Sequence, residues 1–222
     1  MNEYILTTLI QCPLFKGMSE MEIDILMQSV KYRIIYLDKN DIYALAGSPC
    51  KYADIIIRGE MVARMVGLSG KYVEVSRLQS GNIIAPAFIF AKDNSMPVSV
   101  ETDTAVEILR MMPSELKILI DTNEQIRDNF IATLSNINVF LTRKMRMLSL
   151  LTVNEKVAFY IIDTAIKQKS MTIHLEKSRQ EIADSFGIQK FSLMRSLSEF
   201  ASSGAISIEG KTITILNRSL LK

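Results

Sequence analysis

The spacing of apolar positions divides the chain into stretches with the 3.6-residue period of helices and stretches with the two-residue period of strands. Ser19 and Glu22 form a capping box, so residues 19–30 are predicted to make a short helix that buries Met21, Ile25 and Leu26. From residue 31 to about residue 112, short alternating runs take over at 32–36, 53–57, 61–66, 72–76 and 106–111. Turn signals separate them at Gly47-Ser-Pro49, Arg58-Gly59, Gly67 to Gly70, Ser80-Gly81 and Asp93-Asn94. Short strands punctuated this often predict an antiparallel β barrel or roll.

The helical period then returns. Thr122 and Gln125 can make a capping box, after which Ile126, Phe130, Leu134, Ile137, Leu141, Met145 and Leu148 recur every three or four residues. At 1.5 Å per residue this stripe runs about 35 Å. A narrow apolar seam of that length suits packing on a partner helix. Packing on the chain's own β-roll is the alternative. The basic cluster Arg143-Lys-Met-Arg146 is expected to end this helix, where cations favour the C-terminal dipole. Thr152 and Glu155 cap a further helix through about Lys169, with Val157, Ile161 and Ile162 buried. No junction is rich in Gly or Pro, so the domains are expected to be joined through continuous helix.

Residues 178–205 carry the most specific pattern. Ser178 and Glu181 form another capping box, and the helix they start buries Ile182 and Phe186. Gly187 stands where a short helix–turn–helix connection needs positive φ. The second helix buries Leu193, Leu197 and Phe200, while Phe191 and Arg195 point the opposite way, with Ser198 and Glu199 nearby. On a recognition helix such a face has a purpose, because Arg binds guanine O6 and N7 and Phe packs on a thymine methyl. A solvated helix face with one stray aromatic is the other reading. Residues 205–216 alternate around a Glu209-Gly210-Lys211 turn, which predicts a β-hairpin and hence a winged helix. Lys211 at the tip either meets a phosphate or is an ordinary solvated turn lysine.

Composition narrows the function. The 222 residues are 48% hydrophobic and 23% charged, enough to bury a sizeable core. No apolar run reaches the ~18 residues that span a bilayer. The opening residues lack a basic region and a small-residue cleavage site, so a cytoplasmic protein with no membrane partner is expected. Residues 149–222 hold 10 Lys and Arg against 7 Asp and Glu, a weakly basic balance that fits DNA binding. Cys12 and Cys50 are too few for an iron–sulfur cluster and are expected to be buried small hydrophobes. With His174 as the one histidine, metal or haem ligation has almost no support. No acid, base or nucleophile motif is visible, so no enzyme is expected.

The order of elements, together with several local strings, resembles the cyclic AMP receptor protein and Fnr-type (Crp/Fnr) family of bacterial transcription regulators. Those strings are Arg179-Gln-Glu-Ile-Ala183, Gly187, Leu193, Arg195, Gly210-Lys-Thr-Ile213, the Cys12-Pro-Leu-Phe-Lys-Gly17 opening and Ile57-Arg-Gly-Glu-Met61. The resemblance implies an α+β protein. It would have an antiparallel, cyclic-nucleotide-binding-like β-roll over 1–113, a long dimerisation helix over 114–148 and a winged helix-turn-helix over 149–222. It further implies that Lys190, Phe191 and Arg195 read bases. Asn154, Arg179, Gln180, Gln189 and Ser192 would hold phosphates. Phe191 departs from the family, where that position is often a glutamate accepting from cytosine N4.

The effector segment departs too. Cyclic AMP binders use a Gly-Glu pair and an Arg-Ser pair, and an ungapped alignment puts Ala85-Pro86 and Met96-Pro97 there. Burying a phosphate without a cation or backbone donors is costly, so cyclic AMP is not expected as effector. An apolar pocket around Ala85, Met96, Leu141 and Thr142 is expected instead, open to an uncharged molecule or filled by side chains. The expected function is that of a homodimeric, palindrome-binding DNA regulator that meets RNA polymerase if it activates. The alternative is a ligand-sensing dimer whose winged helix contacts protein or RNA.

Overall fold

The computed structural model describes residues 1–66 and 72–221; the turn predicted at Gly67 to Gly70 lies outside them. The chain divides into two compact units, Met1–Val139 and Phe140–Lys222, each with its own hydrophobic cluster.

The first unit opens with helix α1 (Glu3–Gln11), a 3-10 turn (Pro13–Phe15) and helix α2 (Glu20–Met27). Seven strands follow: β1 (Tyr32–Leu37), β2 (Ile42–Ala44), β3 (Ala53–Arg58), β4 (Met61–Val66), β5 (Tyr72–Leu78), β6 (Ser99–Thr102) and β7 (Val106–Met111). They form two antiparallel sheets, ordered β1-β7-β3 and β2-β6-β4-β5. The five predicted runs are all strands. β2 and β6 went unpredicted because three and four residues are too few to establish a period. The Arg58-Gly59 turn joins β3 to β4 and requires glycine: Gly59 has φ +91°, and a Cβ there would lie 2.3 Å from the Ala105 carbonyl oxygen. Both cysteines are buried, and burial pushes the Cys12 thiol up to about 12.

The face of α2 differs from the prediction. Ile23 and Met27 are buried, with Val30 following them inward, while Met21 is 74% and Ile25 63% exposed and Leu26 only half-buried. The capping box fixes where this helix starts but not how it rolls, and two apolar i,i+4 pairs compete within eight residues. The core takes the pair that Val30, just beyond the helix, joins on the buried side.

The helix predicted over 114–148 is two helices, α3 (Pro113–Thr122) and α4 (Glu124–Leu150). Asn123 between them is extended, at φ −130° and ψ 119°. Its Oδ1 accepts a 3.0 Å bond from the Ile126 N–H, whereas the Thr122 hydroxyl donates backward to the Ile118 carbonyl. Asn123, and not the Thr122–Gln125 pair, caps α4. The helix also continues past Arg143–Arg146 to Leu150, so that basic cluster is not in its last turn.

The second unit contains the end of α4, α5 (Val153–Gln168), β8 (Thr172–His174), α6 (Arg179–Ser185), α7 (Lys190–Ser202), β9 (Ile206–Glu209) and β10 (Thr212–Ile215). Val157, Ile161, Ile173, Leu193, Leu197 and Ile213 pack at its centre. The three strands form an antiparallel sheet ordered β8-β10-β9.

All three boxes predicted at Ser19, Thr152 and Ser178 are formed. Bonds from the cap residues hold the Glu22, Glu155 and Glu181 carboxyls below the ordinary range. A depressed carboxyl stabilises the fold above its unfolded value, and this stabilisation is lost as pH falls through the folded value. Carboxyl-carbon NMR titration should therefore give all three glutamates midpoints below the ordinary value of 4.5. Ordinary midpoints would mean that the boxes do not persist in solution.

Candidate nucleic-acid interface

Helix α6 starts at the Ser178 cap and ends at Phe186, whose ring meets Tyr160 edge-on at 5.8 Å. Gly187 turns the chain at φ +63°. Helix α7 then presses Leu193, Leu197 and Phe200 into the core. On its opposite face Phe191 is 76% exposed and the Arg195 side chain 73% exposed, with Lys190 and Gln189 exposed at its start. Ser192 is half-buried.

Arg195 is held in place. Its Nε donates to Glu199 Oε1 at 2.9 Å, one helical turn away. Asn154, from the start of α5, donates to the other oxygen, Oε2, at 3.1 Å. These bonds, first from Asn154 and then from Arg195, hold the Glu199 carboxyl below its usual range. The side chain stays 73% exposed while its Nε is engaged. Asn154 thus supports Arg195 through Glu199. The i,i+4 spacing of Arg195 and Glu199 was readable in the sequence, but the link to Asn154, 45 residues away, was not.

The wing is fixed from behind. Glu209 pairs with Thr212 across a two-residue Gly210-Lys211 turn in which Gly210 has φ +59°. Arg179, half-buried, donates from Nη2 to the Gly210 carbonyl at 3.1 Å, tying the turn to α6. Burial lowers the Arg179 pKa, against the pull of Tyr160. Gln180 donates to Asp184 at 2.8 Å on the exposed side of α6. Lys211 projects from the tip and is exposed. One unit therefore brings together Gln189, Lys190, Phe191, Arg195 and Asn154 around α7, with Arg179 and Lys211 at the wing.

The seam residues of α4 divide in two. Ile126 and Phe130 are buried in the first unit's own core, where Phe130 meets Phe90 at 5.8 Å, and Leu134 packs half-buried beside them. Ile137 is half-buried, whereas Leu141 is 55% and Met145 64% exposed. Of the expected effector residues, Met96 is buried and Ala85 and Pro86 are half-buried, with Ala85 at φ +48°. Pro97 is exposed, and Leu141 and Thr142 belong to the second unit, where both are exposed. Among the described residues no cluster of His, Cys, Asp or Glu could hold a metal ion, and no helix is long and apolar enough to cross a membrane.

Residues 155–222 match the family model of the Crp-like helix-turn-helix domain. The cAMP-activated global transcriptional regulator CRP of Escherichia coli O157:H7 is 24% identical over 164 residues, covering 72% of this chain and 78% of that one. Residues 155–222 are thus a Crp-like helix-turn-helix domain, and the chain is similar to regulators of the Crp/Fnr family. The CRP of Pasteurella multocida is 22% identical over 174 residues, 77% of this chain and 83% of its own. Both relatives are global transcriptional regulators. Among solved structures, the c-di-GMP responsive global regulator CLP of Xanthomonas campestris has the same fold, with TM-score 0.65, 19% identity and coverage of 89% of this chain and 99% of that one. FixK2 of Bradyrhizobium japonicum is similar as well, with TM-score 0.61, 17% identity and coverage of 86% and 96%. A Crp-like helix-turn-helix domain implies DNA binding, and α7 is the second helix of that domain.

Proposed function

We propose that this chain is a Crp/Fnr-type homodimeric regulator that reads a palindromic duplex site through α7 and is not controlled by cyclic AMP. The observation that carries this reading is the Arg195–Glu199–Asn154 chain, which tethers an exposed arginine one turn from an exposed Phe191. An exposed guanidinium beside an exposed phenyl ring suits a guanine next to a thymine. Gln189, Lys190, Ser192 and Lys211 border it as phosphate or base contacts, and Arg179 keeps the wing in place behind them. If the protein activates, RNA polymerase is a further partner.

The dimer reading is supported by Leu141, Met145 and Leu148, apolar and uncovered on one face of α4. Two copies joined there would place two α7 helices in successive major grooves, about one helical turn apart. The effector reading is supported by the segment around Ala85-Pro86 and Met96-Pro97, which has no arginine to meet a cyclic phosphate. The direct test is a fluorescence-anisotropy titration with labelled duplex DNA and with a labelled RNA hairpin, each with and without cyclic AMP. Tighter duplex binding, unchanged by cyclic AMP, is expected. Preference for RNA, or a gain in affinity with cyclic AMP, would overturn the corresponding part.

A further inference from the structure

The β-roll contains a polar cavity that the expected effector residues did not locate. It measures about 240 Å³ and is lined by Tyr43, Cys50, Lys51, Tyr52, Met96 and Arg110, among others. Of the predicted pocket residues only Met96 reaches it. The floor is built around a buried ion pair. Asp54, wholly buried in β3, accepts from Arg110 Nε and, at 2.7 Å, from Arg110 Nη2. The Tyr43 hydroxyl donates to the same carboxylate at 2.9 Å. The guanidinium lies 4.1 Å from the centre of the Tyr52 ring and 5.8 Å from that of Tyr43. Burial, opposed by Arg110 and Tyr43, pushes the Asp54 carboxyl up, and it pushes Tyr43 well above the usual phenol range. Arg110 is held charged by Asp54 in spite of its own burial.

Charge in this region does not balance. The strand register places Arg33, Arg110 and Asp54 in one row across β1, β7 and β3. Lys51 stands at the cavity's edge. Arg33 and Arg110 thus share one carboxylate while Lys51 lines the same cavity as Arg110, and like charges directly opposite one another across a sheet are unfavourable. The ion pair of Arg110 is with Asp54, through Nη2 at 2.7 Å. An anion entering the cavity would relieve this excess, while the rings of Tyr43 and Tyr52 and the Met96 side chain offer flat apolar walls. The volume is below the roughly 300–1,000 Å³ typical of drug-sized ligands, which restricts the ligand to a small metabolite.

We propose that this cavity binds a small organic acid, its carboxylate between Arg110 and Lys51 and its flat apolar body against Tyr43, Tyr52 and Met96. The site is independent of the DNA-binding reading, because it is tested on the free protein. The experiment is isothermal titration of the full chain with benzoate and phenylacetate, and with benzamide as the uncharged counterpart of benzoate. One saturable site per chain is expected for at least one of the acids, with benzamide weaker by about tenfold or more. Lys51 is exposed, so Lys51→Met should leave the fold intact and weaken the acid by about tenfold, while Lys51→Arg should retain it. No saturable heat with either acid would overturn the proposal. So would benzamide binding as tightly as benzoate, or an unchanged affinity in Lys51→Met.

Discussion

Leu141→Asp should turn the proposed dimer into a monomer without unfolding the chain. Leu141 is 55% exposed and belongs to neither hydrophobic cluster, so the change removes nothing from either core. In a two-fold dimer each seam residue lies near the axis and close to its own copy. The substitution therefore removes two leucines whose exposed halves the contact would bury, each contributing about 1–1.5 kcal/mol, and puts two carboxylates into the contact, each costing on the order of a further kcal/mol or more. A loss of at least about 4 kcal/mol follows, on the order of a thousandfold in the dimer dissociation constant. Sedimentation velocity across a concentration series reads this directly, with circular dichroism to check the fold. An intact dimer at low concentration would assign the seam to some other role.

The second large effect concerns base reading. Arg195→Ala should cost about 1–3 kcal/mol per half-site and relax specificity at one base pair, leaving the other positions of the site as before. Phe191→Ala should remove a preference for thymine at its own position, because only the ring packs on the methyl. Competition with duplexes substituted one base pair at a time separates these outcomes from a general loss. Uniform weakening across all positions in Arg195→Ala would mean that this guanidinium meets a phosphate, not a base. An unchanged preference in Phe191→Ala would remove the thymine assignment.

The winged helix was legible in the sequence because its determinants are local. The Ser178–Glu181 box, the turn at Gly187, the 193–197–200 stripe and the alternating hairpin each lie within about a dozen residues, and all agree. Local ambiguity explains the misreadings. In α2 two apolar pairs fit the same helix, and only the tertiary core selects Ile23 and Met27. At residues 122 and 123 two capping-type side chains are adjacent, and the extended backbone of Asn123 decides between them. The seam of α4 was one stripe in the sequence, yet its first turns serve the chain's own core. The polar cavity was hidden for another reason: Asp54 and Arg110 are 56 residues apart and meet only through strand register. One signal was present, a carboxylate set inside the apolar run Ala53–Ile57, since a charge in a buried strand needs a partner.

Sequence-specific duplex recognition by α7 is the central claim, and selection from a random duplex library by the purified protein, with Arg195→Ala run in parallel, tests it most directly. The wild type should enrich a palindrome whose half-sites lie about one helical turn apart. The variant should lose a single position from each half-site. Enrichment of no sequence by the wild type, or the same sequence enriched equally by both proteins, would contradict the reading of this face.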